Sequence, residues 1–114
     1  MTDIEKKNIL SQIVERIKSN IEVKEIILFG SYLKNSAEEQ DTDIDIVVIL
    51  NESGIASNYK EKLQRKRKVT LLLNDIRKNI PLDILVYSSE EWQKLQQINS
   101  SFIKEINMNS LRIA

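Results

Sequence analysis

The sequence predicts an α/β (α+β) fold, a small sheet covered by helices, in the order α-β-α-β-α-β-α. Three observations carry this. Two segments rich in β-branched residues, Val23 to Phe29 and Asp43 to Leu50, are too short to be helices and too apolar to be loops. A third, Leu82 to Tyr87, begins just after the chain's one proline. The segments between and around them repeat apolar residues at helical spacing, and such an alternation packs as helices over a sheet. The pattern leaves open whether the strands run parallel or mixed.

Thr2 and Glu5 have the spacing of a capping box, which satisfies the free N–H groups at a helix start. Leu10, Ile13, Val14, Ile17 and Ile21 then continue an amphipathic helix to about Asn20. Val23 to Phe29 is the first strand; it ends at Gly30, and a short helical turn is expected after Ser31. In the second strand the apolar run is dense enough for burial on both faces over its latter half. A loop from Asn51 to Ser57 carries the second glycine, Gly54. From Asn58 to about Asn79, Tyr59, Leu63, Leu73, Ile76 and Ile80 predict one long helix, stopped by Pro81. Ser88 with Glu91 is a second capping box. It opens helical sequence bearing Trp92, Leu95, Ile98, Phe102, Ile103 and Ile106, with a possible break at Asn99-Ser100-Ser101.

Composition narrows the chemistry. The 114 residues read as a single domain, 1–114, long enough to close one core. No cysteine is present, which excludes disulfides and thiolate metal sites. Histidine is also absent, so imidazole acid–base catalysis, Ser-His and Cys-His triads and histidine-ligated zinc are excluded. Chemistry here must run on carboxylates, hydroxyls, amines or an oxygen-ligated metal. Seventeen basic and seventeen acidic residues balance, which argues against a protein that coats nucleic acid. The acidic N-terminus lacks a signal pattern and no apolar run could span a bilayer, so the expectation is a cytoplasmic protein with no membrane contact.

Asp43 and Asp45 are two residues apart on a strand, so their carboxylates share one face and repel unless a cation lies between them. Oxygen-only ligation suits Mg²⁺ or Mn²⁺, which share their remaining sites with substrate phosphates. Asp83 would add a third carboxylate if its strand neighbours that of Asp45. Such a set can hold two metals that clamp an in-line phosphoryl displacement. Gly30-Ser31 complements it: glycine admits close backbone approach to a phosphate, and a following helix start favours an anion. The competing readings are a polar strand start for the aspartate pair and an exposed strand end for Asp83. Asp41 is read as solvated, and the run Arg65-Lys66-Arg67-Lys68 as a solvated helix face, the competing reading being a patch for nucleic acid or an acidic partner; Trp92 and Phe102 are read as core anchors.

Gly30-Ser31, then Asp43-Ile44-Asp45, then Asp83 in Pro81-Leu82-Asp83-Ile84-Leu85-Val86 resemble the signature of the minimal nucleotidyltransferase family of the DNA polymerase beta superfamily. Ser101 to Ile106 resembles the phenylalanine-bearing helix near the end of such proteins, so the resemblance covers nearly the whole chain. Two departures stand out. Eleven residues rather than the family's usual ten separate Ser31 from Asp43, and Lys34-Asn35 replaces the family's Arg-Gly. The resemblance implies a small mixed sheet of the polymerase beta-like type. It also implies an Mg²⁺-dependent transfer of a nucleoside monophosphate, AMP from ATP, to an acceptor hydroxyl. Asp43, Asp45 and Asp83 would hold two Mg²⁺ ions, while Gly30, Ser31 and Lys34 would hold the triphosphate. The implied partner is a HEPN-type toxin whose tyrosine is the acceptor, this chain being the antitoxin. A catalytically silent antitoxin and an antibiotic-modifying transferase are the alternatives.

Overall fold

In a computed structural model, residues 3–29 and 44–114 are described. Their elements are α1 (Asp3–Asn20), β1 (Val23–Phe29), β2 (Ile44–Leu50), α2 (Tyr59–Leu72), α3 (Asn74–Asn79), β3 (Leu82–Ser88), α4 (Ser89–Ile98), α5 (Ser101–Met108) and β4 (Ser110–Arg112). Thr2 and the helical turn expected after Ser31 lie outside the described residues.

The four strands form one mixed sheet in the order β3-β2-β1-β4. β2 is antiparallel to β1 and parallel to β3, and β4 is antiparallel to the far side of β1. The central place of β2 follows from its sequence: every residue from Ile46 to Leu50 is buried, which needs cover on both faces. On one face Ile44, Ile46, Val48 and Leu50 pack with Ile13 and Ile17 of α1, Val69 of α2, Leu73 at the α2–α3 junction, and Ile76 of α3. On the other, Val47 and Ile49 meet Ile106, Trp92 and Phe102 of α4 and α5. Phe102 packs edge-on against Phe29, ring centroids 6.0 Å apart, and Trp92 lies 5.7 Å from Tyr87. Both residues are therefore core anchors, as expected.

Several expectations need correction. The long helix from Asn58 breaks at Leu73, whose φ of −114° and ψ of 13° leave helical geometry. The break frees carbonyls, and two are recaptured: Leu73 N–H donates to Thr70 O at 3.1 Å and Arg16 of α1 reaches Leu72 O at 3.4 Å. Arg16 also pairs with Asp75 just beyond the break. The bend turns Leu73 and Ile76 inward with Val69 and leaves Tyr59 (75% exposed) and Leu63 (46%) outside, contrary to the apolar face expected. Ile98 is likewise on the surface of α4, where a buried face was expected. Lastly, β4 has no counterpart in the expected order. Its residues, Ser110, Leu111 and Arg112, are all exposed, and pairing with β1 alone makes them a strand.

The breaks and caps that short-range sequence does specify are present. Ser88 Oγ accepts from Glu91 N–H at 3.1 Å while Glu91 Oε1 accepts from Ser88 N–H at 2.9 Å, closing the capping box. Asn99 separates α4 from α5 in the left-handed region, with φ 56°. Arg65 is not a solvated residue of the basic run. It is turned inward onto Glu91 (2.6 Å) and Glu52 (3.5 Å), tying α2 to α4 and to the loop before α2. Gly54, at φ 101°, lets that loop turn so that its carbonyl accepts from Ser88 Oγ at 2.6 Å.

Candidate active site

The start of β2 and the start of β3 meet at one end of the sheet, and there Asp45 stands directly opposite Asp83 in parallel register. The alternation of each strand fixes the face. Asp45 shares that of Val47 and Ile49, and Asp83 that of Leu85 and Tyr87, the side covered by α4 and α5. The sequence condition for a third carboxylate, that its strand neighbour that of Asp45, is thus met. Asp45 is half-buried and Asp83 exposed. Phe29 is the antiparallel partner of Asp45, so the Phe29–Phe102 contact forms a rigid floor next to this carboxylate.

Asp45 and Asp83 line an open cleft of about 400 Å³ together with Pro81, Leu82 and Arg77. Pro81 turns the chain from α3 into β3, its carbonyl accepting from Ile44 N–H at 3.0 Å, and so locks the two strand starts together. Gly30, Ser31, Lys34 and Asp43 lie outside the described residues, so of the expected site residues the structure brings together Asp45 and Asp83. Arg77 is the residue that sequence reading passed over. It brings a guanidinium to a carboxylate cleft, and its position just ahead of Pro81 and Asp83 was the available signal.

Among the described residues no group of three metal-ligating side chains occurs. The two in-register carboxylates in an open, polar cleft nevertheless fit Mg²⁺, which is held by one or two carboxylates and fills its other positions with water and phosphate oxygens. Arg77, a fixed cation, fits the negative charge that phosphates would bring.

Comparison with known proteins gives this chain its family. A family model described as nucleotidyltransferase domain matches residues 10–112. This chain belongs to the nucleotidyltransferase domain family, and its mixed sheet flanked by helices is the polymerase beta-like fold of that family. No curated protein matches it. Among solved structures it is similar to a chain in a crystal structure of a toxin–antitoxin with AMP-PNP. The TM-score is 0.54 and the identity 15%, over 92% of this chain and 72% of that one. It is also similar to chains of the toxin–antitoxin MntA-HpeT mutant (TM-score 0.49, 16% identity, 91% of this chain and 69% of that one). A third similar structure is the tri-AMPylated Shewanella oneidensis HEPN toxin in complex with MNT antitoxin (TM-score 0.47, 17% identity, 92% and 68%). At these identities the likeness is one of fold.

Proposed function

We propose that this chain is a minimal nucleotidyltransferase acting as antitoxin, which transfers AMP from ATP to a tyrosine of a HEPN-type toxin. The observation that carries the reading is the in-register pair Asp45 and Asp83 at the mouth of one cleft, in a chain whose family match spans 10–112. The solved structure with AMP-PNP, a toxin–antitoxin, supports ATP as donor and a toxin as partner.

In the proposed reaction the acceptor oxygen forms a bond to the α-phosphorus as the bond from that phosphorus to the α–β bridging oxygen breaks. Pyrophosphate leaves with the electron pair, and the phenolic proton passes to solvent or a carboxylate of the cleft. Asp43, Asp45 and Asp83 are the residues that would hold Mg²⁺, two ions in the full reading, and the metal would supply neutralisation of phosphate charge and a lowered acceptor pKa. Gly30, Ser31 and Lys34 bind the triphosphate, with backbone N–H groups and a lysine charge as donors. Asp83 is exposed and Asp45 half-buried, and in this reading Asp83 would serve the acceptor's side. Holding acceptor and α-phosphorus in line supplies much of the rate.

The test is to incubate the chain with the protein encoded beside it, ATP and Mg²⁺, and to weigh that protein by intact-mass spectrometry. AMP additions that Asp45→Asn abolishes support the reading. An unmodified partner in a tight inhibitory complex would replace it by the binding-only antitoxin.

A further inference from the structure

One face of α2 is built unlike the rest of the surface. An open groove of about 530 Å³ runs along it, lined by Lys60, Leu63, Lys66, Arg67 and, from α3, Arg77. Lys60, Leu63 and Arg67 recur at the three- and four-residue spacing that stacks side chains on one helix face. Among the described residues no carboxylate and no aromatic ring lines the groove, and none of its four cations forms an ion pair. The nearby acid of the helix, Glu61, is engaged elsewhere, accepting from Ser57 N–H at 2.8 Å. Arg65, which interrupts the run, turns away to Glu91. A chain with zero net charge thus gathers four cations, none of them ion-paired among the described residues, around a half-exposed leucine.

Arg77 lines this groove and also the cleft of Asp45 and Asp83, so the two adjoin at its side chain. We infer that the α2 groove is the docking track for the acceptor: an acidic, tyrosine-bearing polypeptide segment whose carboxylates meet Lys60, Lys66 and Arg67. An apolar side chain of that segment sits on Leu63, and its tyrosine passes Arg77 into the cleft. This inference rests on the transferase reading of the cleft for the role of the tyrosine, but not for the docking. Complementary charge is the first argument for a peptide occupant. Single-stranded nucleic acid, the other polyanion, is recognised on aromatic stacking platforms, and the groove has an aliphatic centre instead.

Fluorescence anisotropy on the full chain with a labelled glutamate–tyrosine copolymer tests it. A lysine–tyrosine copolymer and a single-stranded oligonucleotide of similar length are the controls. The expected result is binding of the acidic copolymer alone, weakened about tenfold or more by combined Lys60→Glu, Lys66→Glu and Arg67→Glu, and steeply by salt. All three residues are exposed, so the fold tolerates the changes. Leu63→Ser should weaken binding with no change in salt dependence. Equal binding of the oligonucleotide, no binding of the acidic copolymer, or full binding by the triple variant overturns the inference. Copolymer binding by a preparation that transfers no AMP upholds the docking track and counts against the transfer reading alone.

Discussion

Asp45 and Asp83 are cross-strand partners on the parallel β2–β3 ladder, set side by side at the strand starts where the sheet opens into a cleft. Parallel neighbours on one face bring their side chains close, so two carboxylates there form one anionic site. Asp83→Asn should therefore remove the thermal stabilisation that Mg²⁺ and ATP confer, about 2.7 kcal/mol when ligand stands at roughly a hundred times its dissociation constant. Because Asp83 is exposed, the ligand-free variant should melt within about 0.5 kcal/mol of wild type. Scanning calorimetry with and without ligand reads both quantities, and an unchanged ligand response would place the site elsewhere.

Arg65 and Glu91 join α2 to α4 with side chains only 17% and 10% exposed. Glu91 also accepts from the backbone N–H groups of Ser88 and Ala56. Truncating it leaves the Arg65 guanidinium with only the more exposed Glu52, at 3.5 Å, and opens the capping box at once. Glu91→Ala should cost about 3 kcal/mol in urea denaturation, well beyond Glu90→Ala on the same turn.

The same residue sets a pH response. Burial pushes the Glu91 carboxyl up, but hydrogen bonds from Ser88 and Ala56 N–H and the Arg65 charge outweigh it, so its pKa lies below the ordinary 4.5. A carboxyl depressed in the folded state contributes stability that is fully present above its unfolded pKa and lost as pH falls through its folded one. Stability should drop as pH is lowered from 4.5, and Glu91→Gln should flatten that part of the profile. Urea midpoints measured across this range check the sign; a Gln variant with the wild-type slope would assign the response to other carboxyls.

Asn99 holds the left-handed conformation between α4 and α5. Asn99→Ala should cost about 1 kcal/mol, while Asn99→Gly should cost nothing or stabilise, because only a Cβ is penalised there. In thermal melts Asn99→Ala should fall below wild type and Asn99→Gly should match or exceed it.

Leu73 closes α2 and is completely buried between α1 and the sheet. Leu73→Ala should destabilise by about 2–5 kcal/mol through the cavity it leaves. The exposed Leu71→Ala, two residues away, should change little. Equal effects in denaturant melts would mean that the helix break does not turn Leu73 inward.

Much of this was readable along the chain because it depends on neighbours in sequence. The bounds of β1, the burial of β2 on both faces, the capping box of Ser88 with Glu91 and the α4–α5 break at Asn99 all rest on local chemistry: β-branching, alternation, hydroxyl and carboxylate caps, a tolerated positive φ. The aspartate of β3 could be named as a candidate for the same reason. Its adjacency to Asp45 could not, because strand order and direction are set by how helices cover the sheet. Nor could the break at Leu73, where Arg16 of a distant helix takes up a freed carbonyl, be seen in the helical period. The strand β4 exists only as the partner of an open edge, and its three exposed residues carry no pattern of their own. Arg77 lines both the carboxylate cleft and the basic groove for the same reason: packing of α3 against the sheet, with Pro81 turning the chain, brings together groups that the sequence separates.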